Sequence, residues 1–186
     1  MKKFFVGALL LIAVVLVVIA QFEMKKLNTL RSAPIPSVEQ KTQVHSTDGT
    51  YLIEGEKVTL KNGKSEVVLE PGTASTQITS YFGNEVQGDF NGDGILDTAF
   101  LLTQNSGGSG TLFYVAALLS SGNTFVGSNA LLIGDRISPQ STVFQDGEII
   151  VNYADRKPDD AMTTEPSVGV SKRLNVQNGK LVEVSL

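Results

Sequence analysis

The residues whose types and spacing are most suited to binding a ligand lie between Gly88 and Thr98. There the chain reads Gly-Asp-Phe-Asn-Gly-Asp-Gly-Ile-Leu-Asp-Thr. Side chains that end in oxygen stand at the first, third, fifth and ninth positions of the loop: Asp89, Asn91, Asp93 and Asp97. Calcium prefers about six to eight hard oxygen ligands, and this spacing wraps a chain around one ion. Glycine at the sixth position permits a sharp turn, and the carbonyl of Ile95 at the seventh would add a ligand. The spacing therefore favours a calcium site.

The charges of this loop lead to the same expectation but leave alternatives open. Three carboxylates placed this closely would repel one another without a cation, so folding and ion binding are expected to be coupled. A turn rich in Gly, Asn and Asp with no ion, or a site for another ion, would also fit these residues. Position 12 is Phe100, where a helix-loop-helix calcium sensor needs a bidentate Glu. We therefore expect no sensor, and we predict that residues 98–102 form a strand leaving the loop.

The loop sequence Asp-Phe-Asn-Gly-Asp-Gly-Ile-Leu-Asp resembles the calcium loop of FG-GAP and VCBS-type β repeats. In those repeats the ninth-position Asp closes the site and a strand follows. The resemblance implies the side-chain ligands Asp89, Asn91, Asp93 and Asp97. Such families usually carry several copies that form a propeller, whereas this chain has one copy, so only the loop is carried over.

A wider resemblance rests on the order of three segments. The calcium-type loop is followed by Gly-Gly-Ser-Gly-Thr at 107–111 and by Val-Asn-Tyr-Ala-Asp-Arg-Lys-Pro at 151–158. This order is similar to a group of uncharacterised bacterial secreted or membrane-anchored proteins. The resemblance implies a location and a calcium ion rather than an activity.

The composition excludes several other kinds of site. The chain of 186 residues has no cysteine and a single histidine, His45. A disulfide framework, a cysteine-ligated metal, a thiol nucleophile and a multi-histidine centre are therefore excluded. The net charge of -4 argues against non-specific nucleic-acid binding, which needs basic patches. We expect no nucleic-acid partner, and we interpret His45 as a solvated residue.

The remaining candidates do not assemble a catalytic set. The glycine-rich segment 105–110 lacks the Gly-Lys-Ser/Thr ending of a phosphate-binding loop. Ser106 or Ser109 would need a base to act as a nucleophile, and the sequence offers none. The charged segment 155–160, together with residues 162–165, could form a ligand-recognition patch or a solvated loop with internal ion pairs. Residues 134–136 could join the same patch, although nothing in the sequence shows contact. We predict no catalytic residue and no enzyme activity.

The N-terminus predicts a membrane anchor. Residues 4–20 (FFVGALLLIAVVLVVIA) are apolar apart from Gly7 and follow Lys2 and Lys3, and about 17 such residues can span a bilayer. We expect a transmembrane anchor within residues 1–22 that contacts lipid through residues 4–20. Lys2 and Lys3 favour an inside N-terminus, whereas Lys25, Lys26 and Arg31 on the far side weaken that preference. Because the calcium-type loop suits an extracytoplasmic medium, we expect an inside N-terminus and a single-pass protein of the cytoplasmic membrane. A signal sequence cleaved near Ala20, with secretion of the rest, is the alternative.

The sequence after the anchor changes character twice. Residues 23–47 are polar and contain two prolines, which predicts a linker. Residues 48–186 show alternating apolar runs and the hairpin dipeptides Asn62-Gly63, Asp146-Gly147 and Asn178-Gly179. They predict a mainly β, antiparallel, sandwich-like single domain outside the membrane. Periodicity alone leaves a strand or a short helix open at residues 111–119.

These features lead to an expected function. We expect a tethered module with one structural calcium ion that binds an envelope protein or polymer through loops 103–110 and 154–166. Two alternatives remain open: a calcium-dependent, hydrolase-like envelope enzyme, and an accessory factor that joins a membrane complex through its apolar helix.

Overall fold

The computed structural model describes residue 21 and residues 45–70, 72 and 75–184. Apart from residue 21, the predicted anchor at residues 1–22 lies outside the described residues. So do residues 23–44 of the predicted linker. Within the described residues, no helix is long and apolar enough to cross a membrane.

The prediction of a mainly β protein is confirmed. From residue 45 onward, the described residues form a short 3-10 turn at Ser46–Asp48 followed by twelve strands. The strands are β1 (Thr50–Ile53), β2 (Glu56–Thr59), β3 (Lys64–Val68), β4 (Thr76–Gly88), β5 (Asp97–Asn105), β6 (Leu112–Ser121), β7 (Thr124–Gly127), β8 (Asn129–Asp135), β9 (Ser138–Gln145), β10 (Glu148–Asp155), β11 (Val168–Gln177) and β12 (Lys180–Glu183).

The strands form two sheets. The larger sheet has the order β2-β1-β8-β6-β5-β4-β3, and β7 pairs with the C-terminal part of β6. The smaller sheet has the order β12-β11-β10-β9. Neighbouring strands are antiparallel except for β1 and β8, which pair in parallel with Leu52 opposite Asn129. The larger sheet is therefore mixed, because it contains this one parallel pair of strands. The sequence predicted an antiparallel sheet.

Strands β5 and β6 are buried on both faces. On one face, Leu101 and Val115 belong to a core that also contains Val151 and Leu174 of the smaller sheet. The next residues along each strand point into a second core on the opposite face, which contains Phe100, Leu102, Tyr114 and Ala116. A strand buried on both faces is a continuous apolar run rather than an alternating one. This explains why periodicity left residues 111–119 undecided, although they lie almost wholly in β6.

The larger sheet curls so that its β1–β2 hairpin covers the second core. The ring of Tyr51 in β1 lies 5.2 Å from the ring of Phe100 in β5, in an edge-to-face contact. Two strands, β8 and β6, separate β1 from β5 in the sheet. The contact is therefore made across a concave face, and the outer hairpin seals the apolar side of the central strands.

The predicted hairpin dipeptides all lie in tight turns. Asp146 and Gly147 connect β9 to β10 with φ of 54° and 79°, the left-handed values that a type I′ turn requires. Asn178-Gly179 between β11 and β12 and Asn62-Gly63 before β3 have the same pattern. A further turn of this kind, at Glu54-Gly55, divides the alternating run at residues 51–60 into β1 and β2.

The start of the described chain is fixed to the domain by several hydrogen bonds. The Ser46 hydroxyl donates to Glu85 of β4 at 2.6 Å, and the Tyr51 hydroxyl donates to the Ser46 carbonyl at 2.8 Å. The Gly63 amide donates to the Thr47 carbonyl at 2.8 Å. Residues 46 and 47, which the sequence placed in the linker, thus contact the β domain.

The packing of β4 against β9 predicts a steric effect at Gly88. A Cβ at this position would overlap the Phe144 ring, whereas a Cβ at Gly169 of β11 would meet no atom. We expect Gly88→Ala to lower the free energy of unfolding by about 1–3 kcal/mol, the usual cost of overpacking. Gly169→Ala should change it by less than about 1 kcal/mol. Denaturant titration of both variants tests this, and equal losses would contradict the packing described.

Candidate functional site

The predicted calcium loop connects two long strands of the larger sheet. β4 ends at Gly88 and β5 begins at Asp97, so residues 89–96 form the whole connection. The expectation that a strand leaves the loop at residues 98–102 is confirmed, because these residues lie in β5. The loop is therefore held at both ends by one antiparallel pair, in which Gly88 lies opposite Asp97.

Asp89 folds the loop around its carboxylate. One oxygen, Oδ1, accepts hydrogen bonds from the Gly92 amide at 2.8 Å and from the Asp93 amide at 3.0 Å. The other oxygen accepts from the Gly94 amide at 2.9 Å. Gly92 and Gly94 have φ of 79° and 82°, which a side chain would strain. Three successive amides thus point at a single carboxylate.

Asn91 and Asp93 continue this pattern. Asn91 Oδ1 accepts from the Asp93 amide at 2.9 Å, and Asp93 Oδ1 accepts from the Ile95 amide at 2.9 Å. The Asn91 side-chain amide also lies 3.4 Å from Asp93 Oδ2. Each carboxylate oxygen has more than one acceptor site, so these bonds leave capacity for another donor or a cation. An all-oxygen donor set is the type that calcium binds.

Asp97 joins the loop to a neighbouring strand. Its side chain is buried, with the residue only 1% exposed, and its two oxygens accept from the Phe90 amide at 3.0 Å and the Ser120 amide at 2.7 Å. Burial raises the pKa of Asp97 above its ordinary value, the two amides oppose this shift, and the charges of Asp93 and Asp89 raise it further. The three carboxylates therefore interact electrostatically.

Two residues of this site escaped sequence reasoning. Phe90 turns its side chain into the core between the sheets, where its ring lies 4.9 Å from the Phe144 ring of β9. The Ser120 amide donates a hydrogen bond to Asp97, and the Ser120 hydroxyl donates one to the Leu96 carbonyl at 2.9 Å. The apolar residue among polar loop positions was a usable signal for Phe90. Ser120 is 23 residues from Asp97 and had none.

Among the described residues, no three histidine, aspartate or glutamate side chains are grouped so that they could hold a metal ion. The ligand set predicted from the sequence also includes an amide oxygen, from Asn91, and the Ile95 carbonyl. The assignment of Asp89, Asn91, Asp93, Ile95 and Asp97 to calcium stays a prediction.

The second candidate region is a cluster of three loops, formed by Thr111, Asp135, Arg136, Arg156 and Thr164. The Arg156 guanidinium donates to the Arg136 carbonyl at 2.8 Å and to the Thr164 carbonyl at 2.5 Å. Arg136 forms an ion pair with Asp135 at 2.9 Å, and the Asp135 carboxylate accepts from the Thr111 amide at 2.9 Å. The structure thus brings residues 134–136 to the charged loop, a contact that nothing in the sequence shows.

The donors of this three-loop cluster are directed inward. The Arg136 hydrogen bond lowers the pKa of Asp135 below its ordinary value, and the Thr111 amide and the charge of Arg156 lower it further. Asn105 shapes the adjoining glycine-rich loop by donating to the Gly110 carbonyl at 2.8 Å. Internal bonding of this kind fixes the loops to one another, with Arg156 bonded to backbone carbonyls and the ion pair formed by Asp135 and Arg136.

The remaining sequence candidates are exposed. Ser106 and Ser109 lie at the surface of the glycine-rich loop, and His45 is exposed at the start of the described chain. A cleft of about 450 Å³, which the sequence did not indicate, lies beside β1 and β7. Its lining includes Asp48 and Lys57 together with the apolar Leu118 and Val126. No residue of the calcium loop or of the three-loop cluster lines this cleft.

Comparison with protein families, curated proteins and solved structures found no match to this chain.

The Asp135–Arg136 pair predicts a pH-dependent contribution to stability. Because the pKa of Asp135 is lowered from 3.8 in the folded state, its contribution is present above that value and lost as the pH falls through the folded pKa. We expect Asp135→Asn to cost about 1 kcal/mol or less at neutral pH, since the pair is partly exposed. The difference in free energy of unfolding between this variant and the unmodified chain should shrink as the pH falls below the ordinary pKa of aspartate.

Denaturant titrations between neutral pH and the acid limit of folding would measure this. Asp159→Asn is the matched control, because Asp159 is an exposed residue of the same charged loop. If Asp135→Asn lowered the free energy of unfolding by the same amount at the lowest pH as at neutral pH, the ion pair could not be the source of the loss.

Proposed function

We propose that this chain is a membrane-tethered extracytoplasmic interaction module whose β domain is stabilised by one calcium ion. The observation that supports this most directly is the organisation of residues 89–97. The oxygens of Asp89, Asn91 and Asp93 accept five backbone hydrogen bonds from the loop itself. The loop is therefore compact without an ion, and it is rich in oxygen atoms that could coordinate a cation.

Electrostatics favours a cation in this loop. Burial raises the pKa of Asp97 above its ordinary value, and the negative charges of Asp93 and Asp89 add to this shift. A divalent ion would reverse the sign of that interaction. The groups that would hold it are the side-chain oxygens of Asp89, Asn91, Asp93 and Asp97 with the carbonyl of Ile95. When bound, the ion supplies positive charge and fixes the loop.

The connections of the loop support a structural rather than a catalytic role for such an ion. Phe90 packs on Phe144 of β9 in the smaller sheet, and Asp97 accepts from Ser120 of β6. Fixing the loop therefore stabilises the junction between the two sheets. Extracellular modules bind calcium with Kd of about 10⁻⁴–10⁻³ M, which suits a stabilising ion in a calcium-containing exterior.

The tether and the location rest on the sequence. Residues 4–20 have the length and apolarity of a membrane-spanning helix, and the lysines before them favour an inside N-terminus. The β domain would then lie outside the cytoplasmic membrane. Cleavage near Ala20 would release the same domain as a secreted protein.

The interaction role rests on the loops at the three-loop cluster. Internal hydrogen bonds hold Arg156 to Arg136 and Thr164, so the surrounding surface is ordered without a ligand. An ordered surface binds a partner at a lower entropic cost than a flexible one. Lys157, Asp159 and Met162 are exposed beside the cluster, where they can contact an envelope protein or polymer.

Calcium titration of the full chain in detergent, after chelation, tests the metal proposal. We expect a binding heat and, at ten times Kd, a gain of about 1.4 kcal/mol in stability. That gain corresponds to a melting temperature raised by about 3–6 °C. Asp93→Asn keeps the side-chain oxygen that accepts from Ile95 but removes one charge, so it should weaken binding about tenfold or more.

The control for this titration is Asp159→Asn, which removes the same charge from an exposed loop outside residues 89–97. It should bind calcium like the unmodified chain. The calcium proposal is rejected if the unmodified chain shows neither heat nor a shift in melting temperature.

The location is tested with a C-terminally tagged full chain and protease added to intact spheroplasts. We expect the chain in the membrane fraction and the β domain to be degraded, because it would face outward. A soluble product whose N-terminus follows Ala20 would indicate secretion. Protection of the tagged domain in intact spheroplasts would place it inside the cell and overturn the proposal.

A further inference from the structure

Three asparagines of this chain, Asn62, Asn91 and Asn178, are each followed by glycine. Because glycine has no side chain, its amide nitrogen can approach the side-chain carbonyl carbon of the preceding asparagine. When that nitrogen loses its proton to hydroxide and attacks the carbon, a C–N bond forms and the C–NH₂ bond breaks. Ammonia leaves with a proton from water, and a second water opens the succinimide ring to aspartate or isoaspartate. The fold decides which asparagine can react.

Hydrogen bonds hold the first pair, Asn62-Gly63, on both sides of the reacting peptide bond. The Gly63 amide, which would be the nucleophile, donates to the Thr47 carbonyl at 2.8 Å, and the Gly63 carbonyl accepts from the Tyr81 amide at 2.7 Å. The Asn62 amide donates to Asp48 Oδ1 at 2.9 Å. An amide in a hydrogen bond must give up that bond before it can react. These three bonds therefore oppose reaction at Asn62.

The second pair, Asn91-Gly92, lies in the loop between β4 and β5. The Gly92 amide donates to Asp89 Oδ1 at 2.8 Å, so its nitrogen is engaged as well. The side-chain oxygen of Asn91 accepts from the Asp93 amide at 2.9 Å. Both partners of the reaction are thus held by hydrogen bonds within the loop.

The third pair, Asn178-Gly179, forms the turn between β11 and β12 and lacks such bonds. In the part of the chain that the structure describes, no residue accepts a hydrogen bond from the Gly179 amide or bonds to the Asn178 side chain. Residues 177–180 are all exposed. The φ of Asn178 is 51°, the same value as at Asn62. The two turns therefore differ in their hydrogen bonds rather than in this angle.

The hairpin that carries Asn178 is also placed to open locally. A tight turn fixes the backbone, so the reaction proceeds when the turn opens. β12 is an outer strand of four residues that, within the described residues, pairs with β11 alone. The Asn129 side chain limits this opening, because it donates to the Leu181 carbonyl at 3.0 Å and accepts from the Leu181 amide at 2.8 Å. Short outer segments open at a lower free energy than central strands.

We propose that Asn178 is a site of spontaneous modification in the folded chain. Attack by the Gly179 amide and hydrolysis convert its side-chain amide to a carboxylate, with water as the co-reactant. Asn62 and Asn91 are protected by their hydrogen bonds. The proposal does not rest on the proposed function.

The modification changes the turn in two ways. The aspartate product adds a negative charge beside Lys180. The isoaspartate product carries the backbone through the former side chain and adds one atom to a turn that places Gln177 opposite Lys180. Because Leu181 follows the turn and is buried in the core between the sheets, a distorted turn would disturb that core.

Incubation of the full chain in detergent at mildly alkaline pH, with a chelator present, tests the proposal by peptide mass mapping. Each conversion replaces NH₂ by OH and increases the mass of the peptide. We expect Asn178 to convert at least about tenfold faster than Asn62 or Asn91, since their protecting hydrogen bonds must first break. In denaturant the three should convert at similar rates, because these bonds are lost there.

A variant at Asn129 tests whether hairpin opening controls the reaction. Asn129→Ala removes both bonds to Leu181 and should speed conversion of Asn178 about tenfold, the effect of two hydrogen bonds. Conversion of Asn62 should be unchanged in this variant. Asn123→Ala is the matched control, because it removes an exposed asparagine from the β6–β7 turn, and it should alter neither rate.

A variant at Asp48 tests the protection of the first pair. Asp48→Ala removes the acceptor of the Asn62 amide and should speed conversion of Asn62 about fivefold. It should leave the rate at Asn178 unchanged, because Asp48 bonds to no residue of the β11–β12 hairpin.

Equal rates for Asn178 and Asn62 in the folded chain would overturn the proposal. So would conversion of all three asparagines in denaturant alone, because the turn would then protect Asn178 without any further bond. Equal acceleration of Asn62 and Asn178 in Asn129→Ala would refute local opening, since the reaction would then follow unfolding of the whole domain.

Discussion

The buried carboxylate of Asp97 is the interaction on which the arrangement of the site depends. It lies where β5 begins. It accepts a hydrogen bond from the Phe90 amide in the loop and another from the Ser120 amide at the end of β6. A buried charge is costly unless it is bonded in this way. Because Phe90 also packs on Phe144, this carboxylate couples the loop to β6 and, through the aromatic pair, to the smaller sheet. A cation near Asp97 would act on all three.

The central strands set the limits within which that loop can vary. β5 and β6 bury side chains on both faces, with Leu101 and Val115 on one side and Phe100 and Tyr114 on the other. A shift of register by one residue would exchange these two sets and disrupt both cores. The strand after the loop is therefore fixed in register, and the loop must close over a defined distance from Gly88 to Asp97. Its position is a consequence of core packing rather than of its own charges.

Much of this could be predicted from the sequence, and the remainder could not for identifiable physical reasons. Local signals were reliable: the Asp146-Gly147 and Asn178-Gly179 turns lie between strands as predicted. The parallel contact of β1 with β8 and the donation from Ser120 to Asp97 join residues far apart in the chain, and no local pattern encodes them. The spacing of Asp89, Asn91, Asp93 and Asp97 predicted a calcium site, and the structure shows a compact loop rich in side-chain oxygens. Whether those oxygens bind an ion depends on affinity, which spacing does not measure.

The bonds around Ser46 determine how a mechanical load would enter the domain. A force pulling on the chain at His45 would first stretch the Ser46–Glu85 bond and the bond from Gly63 to the Thr47 carbonyl. The tension would be shared between β4 and the turn before β3, and it would reach β1 only after these bonds broke. Under such a load the outer hairpin would keep its place in the sheet until the bonds at Ser46 and Thr47 had broken.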